Sequence, residues 1–250
     1  MAILLATAMT TAATATATVG TAPAAAPTVL QDGHVDYGAR FVGGVLRAQV
    51  KDGTAGSGAV VWRESSEVVF HVRPAARTTV PSAAAFAFLG APGAPLWLLP
   101  QVQRQGVLWP GWNSEEIAAA QLTGPLSWSL DAVTGPGRFA LFTAGSFGGV
   151  TKLFDSGDGL PDTVQVPAGT HAHGNWAFSA EGRYQLTFTT RAPLAPSGSA
   201  SDTRTLTVTV GAVDPATGAP LPGDTPPPGG TRPPDTGRPP GGTTPPAGTQ

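Results

Sequence analysis

The sequence predicts an all-β fold, an immunoglobulin-like or Greek-key β-sandwich with one short helix. Three observations lead there. Short aromatic and β-branched runs recur from Thr28 to Val213, Gly and Pro punctuate them at close intervals, and a single window has helical character.

Taken in order, His34 to Phe41, Gly43-Gly44 and Val45 to Val50 read as a hairpin. Val60 to Arg63 and Glu67 to Val72 are two further strands. Trp97 to Leu99, Leu126 to Leu130, Phe139 to Thr143 and Thr163 to Val166 follow. Thr170 to Phe178 reads as one strand, and Glu181-Gly182 turns it into Tyr184 to Thr190. Thr205 to Val210 closes the domain. The helical window is Ser114 to Gln121, with Ser114 as a cap and Glu115 and Glu116 suited to the first turn.

The two ends differ from this middle. Residues 1–27 begin with an apolar stretch, Ala2 to Met9, and continue as an Ala/Thr run with small-x-small sites up to Ala24–Ala26. That is the shape of a signal peptide without its basic start, or of a disordered leader. Residues 214–250 are rich in Pro, Gly and Thr, with no large apolar residue after Leu221. Such a segment buries too little surface to offset its ordering entropy, so it predicts a disordered stalk-like tail. Pro233-Pro234-Asp235-Thr236-Gly237 is similar to a sortase signal without its leading Leu; no apolar helix or basic end follows it, so covalent wall attachment is not expected. No window after the leader reaches the ~18 apolar residues of a membrane span.

Charged residues make up 12% of the chain and the net charge is -2, which argues against nucleic-acid binding. With no cysteine, disulfides, thiolate metal sites and cysteine nucleophiles are excluded.

Chemistry concentrates in four histidines, His34, His71, His171 and His173. In a strand, residues two apart share a face at about 6.5 to 7 Å. His171 and His173 are so spaced, and so are His34 and Asp36. Two imidazoles in that arrangement can share one metal, at ~2.0–2.1 Å from each nitrogen if it is zinc. In Val68-Val69-Phe70-His71-Val72, His71 takes the face opposite Val68, Phe70 and Val72. The expected metal ligands are therefore His34, Asp36, His71, His171 and His173. Asn175, two residues beyond His173, is expected to orient them from behind. This donor set suits zinc, or manganese if more oxygens join. Another histidine-lined ligand site, such as one for haem, and unrelated structural histidines are the competing readings.

Other constellations are thinner. Ser146 misses the Gly-x-Ser-x-Gly elbow by one position. Asp155, Asp158 and Asp162 resemble a calcium loop, but Val166 stands where its closing Glu belongs, so a plain turn is expected. Trp97, Trp109 and Trp112 offer either an aromatic platform for a sugar or peptide, or packing. No catalytic residue is assigned, and the chain is expected to be a binding protein rather than an enzyme.

Several motifs are distinctive as a set: Gly33-His34-Val35-Asp36, Phe88-Leu89-Gly90-Ala91-Pro92-Gly93-Ala94-Pro95, Trp109-Pro110-Gly111-Trp112-Asn113, Gly137-Arg138-Phe139-Ala140-Leu141-Phe142, and Thr170-His171-Ala172-His173-Gly174-Asn175-Trp176-Ala177-Phe178 followed by Gly182-Arg183-Tyr184. Over about residues 30–212 they resemble the actinobacterial surface-anchored protein domain, also called the choice-of-anchor M domain. The resemblance implies a secreted or wall-attached protein that receives or relays a ligand. It also implies a partner, the substrate-binding protein of a metal-type ABC transporter. Its motifs include His34, Asp36, His171 and His173. The expectation is thus an extracellular, cell-surface protein binding a divalent metal or a metal-containing ligand for an uptake system. The alternative is a structural or adhesive wall module with no small ligand.

Overall fold

The structure, a computed structural model, describes residues 25–54, 58–145 and 148–221. The predicted leader up to residue 24, Ser146 and the tail beyond residue 221 lie outside the described residues.

Among the described residues, sixteen strands form three sheets. They are β1 (Thr28–Leu30), β2 (Gly33–Val42), β3 (Val45–Asp52), β4 (Val61–Glu64), β5 (Val68–Val72), β6 (Arg77–Thr79), β7 (Pro95–Leu99), β8 (Leu108–Asn113), β9 (Leu126–Thr134), β10 (Phe139–Ala144), β11 (Val150–Asp155), β12 (Asp162–Val166), β13 (His171–His173), β14 (Asn175–Phe178), β15 (Gly182–Pro193) and β16 (Ser199–Val210). The first sheet runs β1-β5-β16-β15-β9-β12, the second β11-β10-β14-β7-β6 and the third β13-β8-β2-β3-β4. An all-β sandwich describes the molecule, as the alternation of the sequence predicts.

The inward faces meet in one aromatic core. Phe188 of β15 lies against Tyr37 of β2, Trp128 of β9, Phe154 of β11 and Trp176 of β14, with ring centroids 5.0 to 6.3 Å apart. Strand period explains β2: Val35, Tyr37 and Ala39 are buried in this core, while His34, Asp36 and Gly38 take the other face. A smaller apolar cluster, including Leu89, Leu96 and Phe142, lies beneath the 3-10 segment Ala84–Leu89.

Two expectations are corrected. Ser114 to Gln121 is not a helix; only Ala119–Gln121 makes a 3-10 turn. Ser114 does not cap. Its backbone N–H donates to Thr170 O, and its hydroxyl donates to Pro167 O and accepts from Thr170 N–H. Tertiary bonds thus override the local helical preference. Thr170 to Phe178 is not one strand either. β13 belongs to the third sheet and β14 to the second, and the chain changes sheet at Gly174. A Cβ at Gly174 would come within 2.9 Å of Leu141 Cδ1 and 3.1 Å of Phe142 O, so the corner needs glycine.

The first eight residues assigned to the tail by composition fold back on the domain. Asp214 Oδ1 accepts from the N–H groups of Ala216 and Thr217, and Thr209 donates its hydroxyl to Pro215 O at 3.0 Å.

Tyr184, at the start of β15, is fully buried, and its hydroxyl donates to Ala180 O at 2.8 Å and accepts from Ala180 N–H at 3.2 Å. This hook pins the β14–β15 turn. Tyr184→Phe leaves both Ala180 groups without that partner. It is expected to lower unfolding free energy by about 1–2 kcal/mol in urea denaturation.

Candidate metal centre

The third sheet builds the site. β8 runs parallel to β2 and antiparallel to β13, so it lies between the two histidine-bearing strands. Its register aligns Asp36, Gly111 and His173 in one cross-strand row. His34 pairs with Trp109, and His171 pairs with Asn113. All seven residues occupy alternate positions and therefore share the sheet face turned from the core.

Gly111 is required by this row. A Cβ there would lie 2.4 Å from Asp36 Oδ1, 2.6 Å from Ala172 O and 2.8 Å from His173 Cε1. The bare backbone lets the Asp36 carboxylate and the His173 ring meet over it.

The donors converge. Asp36 Oδ1 lies 3.2 Å from His34 Nε2 and 3.3 Å from His171 Nε2, and these two nitrogens are 3.2 Å apart. His173 Nε2 is 4.0 Å from Asp36 Oδ1. One ligand atom from each of the four residues lies within 4.8 Å of the others, and theirs is the one such group of three or more His, Cys, Asp or Glu among the described residues. The Asp36 side chain is wholly buried and that of His173 is 11% exposed, whereas His34 and His171 are 30% and 34% exposed. The cluster is closed below and open to solvent on the His34 and His171 side.

Neighbours hold these groups in place. Asn113 Nδ2 donates to Asp36 Oδ2 at 3.2 Å and to Glu115 Oε2 at 2.7 Å. Lys51 Nζ donates to the same Glu115 oxygen at 2.9 Å, and Glu115 Oε1 is 3.7 Å from His171 Nδ1. The Asn113 amide, then Lys51, keep the Glu115 carboxyl below the usual carboxylate range. Trp109 stacks on the His173 ring, with centroids 3.7 Å apart and planes 8° from parallel. Both His173 ring nitrogens are buried without a hydrogen-bond partner. Burial pushes the His173 imidazole below the usual histidine range against the pull of Asp36, which favours the neutral form that ligates metals.

Four of the five expected ligands come together, and His71 does not. It lies on β5 in the first sheet, where its Nδ1 is 3.1 Å from Thr209 Oγ1. Thr209 gives its own proton to Pro215 O, so Nδ1 of His71 carries the hydrogen. Asn175 does not orient the ligands either. Beyond the sheet change at Gly174, its Oδ1 accepts from Gln101 N–H at 3.0 Å and its Nδ2 faces Gln101 Oε1 and Phe142 O. Asn113, Glu115 and Gly111 are the site residues that sequence reasoning missed. Asn113 and Gly111 stood in the Trp109 to Asn113 motif, whose alternate positions would have revealed them had it been read as a strand.

The other candidates resolve into structure. Asp155 Oδ1 caps Gly157 N–H, Asp162 Oδ2 accepts from Asp155 N–H, and Lys152 pairs with Asp155 and Asp158, so this loop is a self-bonded turn. Trp97 is buried on β7, Trp109 stacks on His173 and Trp112 packs towards Trp128, so the three make no common platform.

No protein-family model matches the chain. No curated protein matches it, and no solved structure does. Among the described residues no helix is long and apolar enough to cross a membrane.

Two outcomes follow from this geometry. Gly111→Ala forces a methyl between Asp36 and β13 and is expected to destabilise the fold by about 1–3 kcal/mol, read by urea denaturation. For His71, burial lowers the pKa below the ordinary value of about 6.5; Arg73 acts the same way, and Thr209 and Asp214 oppose it. The unfolded chain therefore takes up this proton more readily. The His71 contribution is intact above pH ~6.5 and is lost as pH falls through the lower folded value. With chelator present, urea midpoints measured from pH 7.5 to 5 are expected to fall less steeply for His71→Gln than for the wild type.

Proposed function

We propose that this chain is an exported cell-surface binding protein that holds a divalent metal ion through His34, Asp36, His171 and His173. One observation carries the reading: two strands far apart in the chain, β2 and β13, bring three imidazoles and one carboxylate within 4.8 Å of one another. The unpartnered nitrogens of His173 support it, because a buried imidazole without a hydrogen bond costs stability that a metal ion would return.

Binding is favoured over catalysis by the surroundings. Glu115, whose carboxylate lies 3.7 Å from His171 Nδ1, is committed to Asn113 and Lys51 and is a poor general base. Export to the cell surface rests on the Ala/Thr-rich leader. Delivery to the substrate-binding protein of a metal-type ABC transporter rests on the motif resemblance to surface-anchored domains. Partial exposure of His34 and His171 is compatible with such a transfer, since an ion held there can be reached from outside.

Isothermal titration of the untagged chain with zinc and with manganese tests the binding. One equivalent of one of them is expected to bind, and the His171→Ala, His173→Ala double variant is expected to weaken it at least ~100-fold. Unchanged binding in the double variant would refute the assignment.

A further inference from the structure

The cluster also contains information on which cation it takes. We propose that it is a four-coordinate, tetrahedral site of the zinc class, selecting against manganese, and that Asn113 and Glu115 impose this geometry. The inference rests on the metal-binding reading above and goes beyond it in naming the cation and the residues that choose it.

The donor set is the first argument. Three imidazole nitrogens and one carboxylate oxygen form a nitrogen-rich set of borderline softness. Hard cations such as calcium and magnesium demand oxygen cages, and manganese binds nitrogen donors more weakly than zinc. The chain has no cysteine, so no thiolate is present to favour a softer ion.

Asp36 would add oxygen character if both of its oxygens could reach the metal. Asn113 prevents this. Its amide occupies Oδ2, and Oδ1 alone faces the histidines. Asp36 is therefore a one-oxygen ligand, which keeps the coordination number low.

Spacing is the second argument. The three mutual distances among His34 Nε2, His171 Nε2 and Asp36 Oδ1 are 3.2, 3.3 and 3.2 Å, nearly an equilateral triangle. A tetrahedral ion with bonds of about 2.0–2.1 Å separates its donors by about 3.3–3.4 Å. An octahedral ion with bonds of that length separates adjacent donors by about 2.9 Å. The triangle is wider than that octahedral spacing and fits a tetrahedral zinc-class ion; against manganese, whose longer bonds of about 2.2 Å widen the octahedral spacing to about 3.1 Å, the selection rests on the nitrogen-rich donor set. The fourth vertex belongs to His173, whose Nε2 must close on Asp36 Oδ1 by about 0.6–0.7 Å from its 4.0 Å separation to complete the figure.

Glu115 completes the device. With Nε2 of His171 on the metal, its proton resides on Nδ1, and the negative charge of Glu115 Oε1, 3.7 Å away and beyond hydrogen-bond distance, favours that tautomer. One amide, Asn113 Nδ2, holds both the ligand Asp36 and the orienting carboxylate Glu115. Both are positioning residues. Removing such a partner lowers metal affinity by about 10–100-fold.

Cobalt(II) titration of the untagged full chain, read by visible absorption, tests the geometry. Intense d–d bands are expected, as for tetrahedral cobalt. Zinc is expected to abolish them at one equivalent, and excess manganese to leave them in place. Glu115→Gln, with an unchanged thermal midpoint for the metal-free protein, is expected to retain the bands and bind cobalt about 10–100-fold more weakly. Asn113→Ala is expected to weaken the bands as Asp36 gains a second coordinating oxygen. Pale octahedral bands, or manganese displacing cobalt more readily than zinc, would overturn the tetrahedral assignment while leaving metal binding intact. Unchanged affinity in Glu115→Gln would overturn its positioning role. Failure of zinc, manganese and cobalt alike to bind would overturn the metal reading itself.

Discussion

The close pairing of β8 with β2 on one side and β13 on the other is the constraint on which the candidate site depends. Asp36, Gly111 and His173 lie in one row across these strands, and the absence of a side chain at the middle position lets the outer two meet. Strand spacing of about 4.8 Å brings the backbones near. What converts nearness into ligating distance is the glycine. The inner faces of the same strands set the register, because a slip of one residue would exchange Val35 and Tyr37 for His34 and Asp36 in the core.

The site runs against the general preference of a folded chain. A wholly buried carboxylate and a nearly buried imidazole without hydrogen bonds both oppose folding. Asn113 offsets part of the first cost by donating to Asp36. The second is offset in part by the Trp109 stack and the nearby Asp36 charge. The aromatic core around Phe188, assembled without any residue of the cluster, carries the stability that tolerates it. Locally unfavourable polar burial on an otherwise consistent scaffold is the pattern expected at functional or strained sites.

Legibility varied with the physics of each segment. β2, β3, β15 and β16 alternate clearly and are bounded by glycine or turn residues, so their existence was readable. β8 was not, because Pro110 and Gly111 signal a turn in isolation and only the flanking strands make them strand residues. β1 and β6 are three residues each, too short to show a period. The Ser114 to Gln121 window failed as a helix although Ser114 O accepts from Ile117 N–H, because the side chains of Ser114, Glu115 and Glu116 bond to residues distant in the chain. Of the site, His34, Asp36, His171 and His173 were found by their i, i+2 spacing, which is a local property. His71, singled out only for facing away from Val68, Phe70 and Val72, has no metal-ligating residue two positions away and lies in another sheet, and Asn175 was lost to a change of sheet at Gly174.

The amino-acid sequence alone determined the all-β class, most of the strands and the pairs of donors that share a strand face, because these follow from a two-residue period and from turn chemistry within a few positions. Only the tertiary structure decided which pairs meet, that Gly111 makes room for them and that Asn113 and Glu115 surround them. Those outcomes depend on pairing between strands far apart in the chain, up to 137 residues for His34 and His171, and no local pattern encodes such a partner.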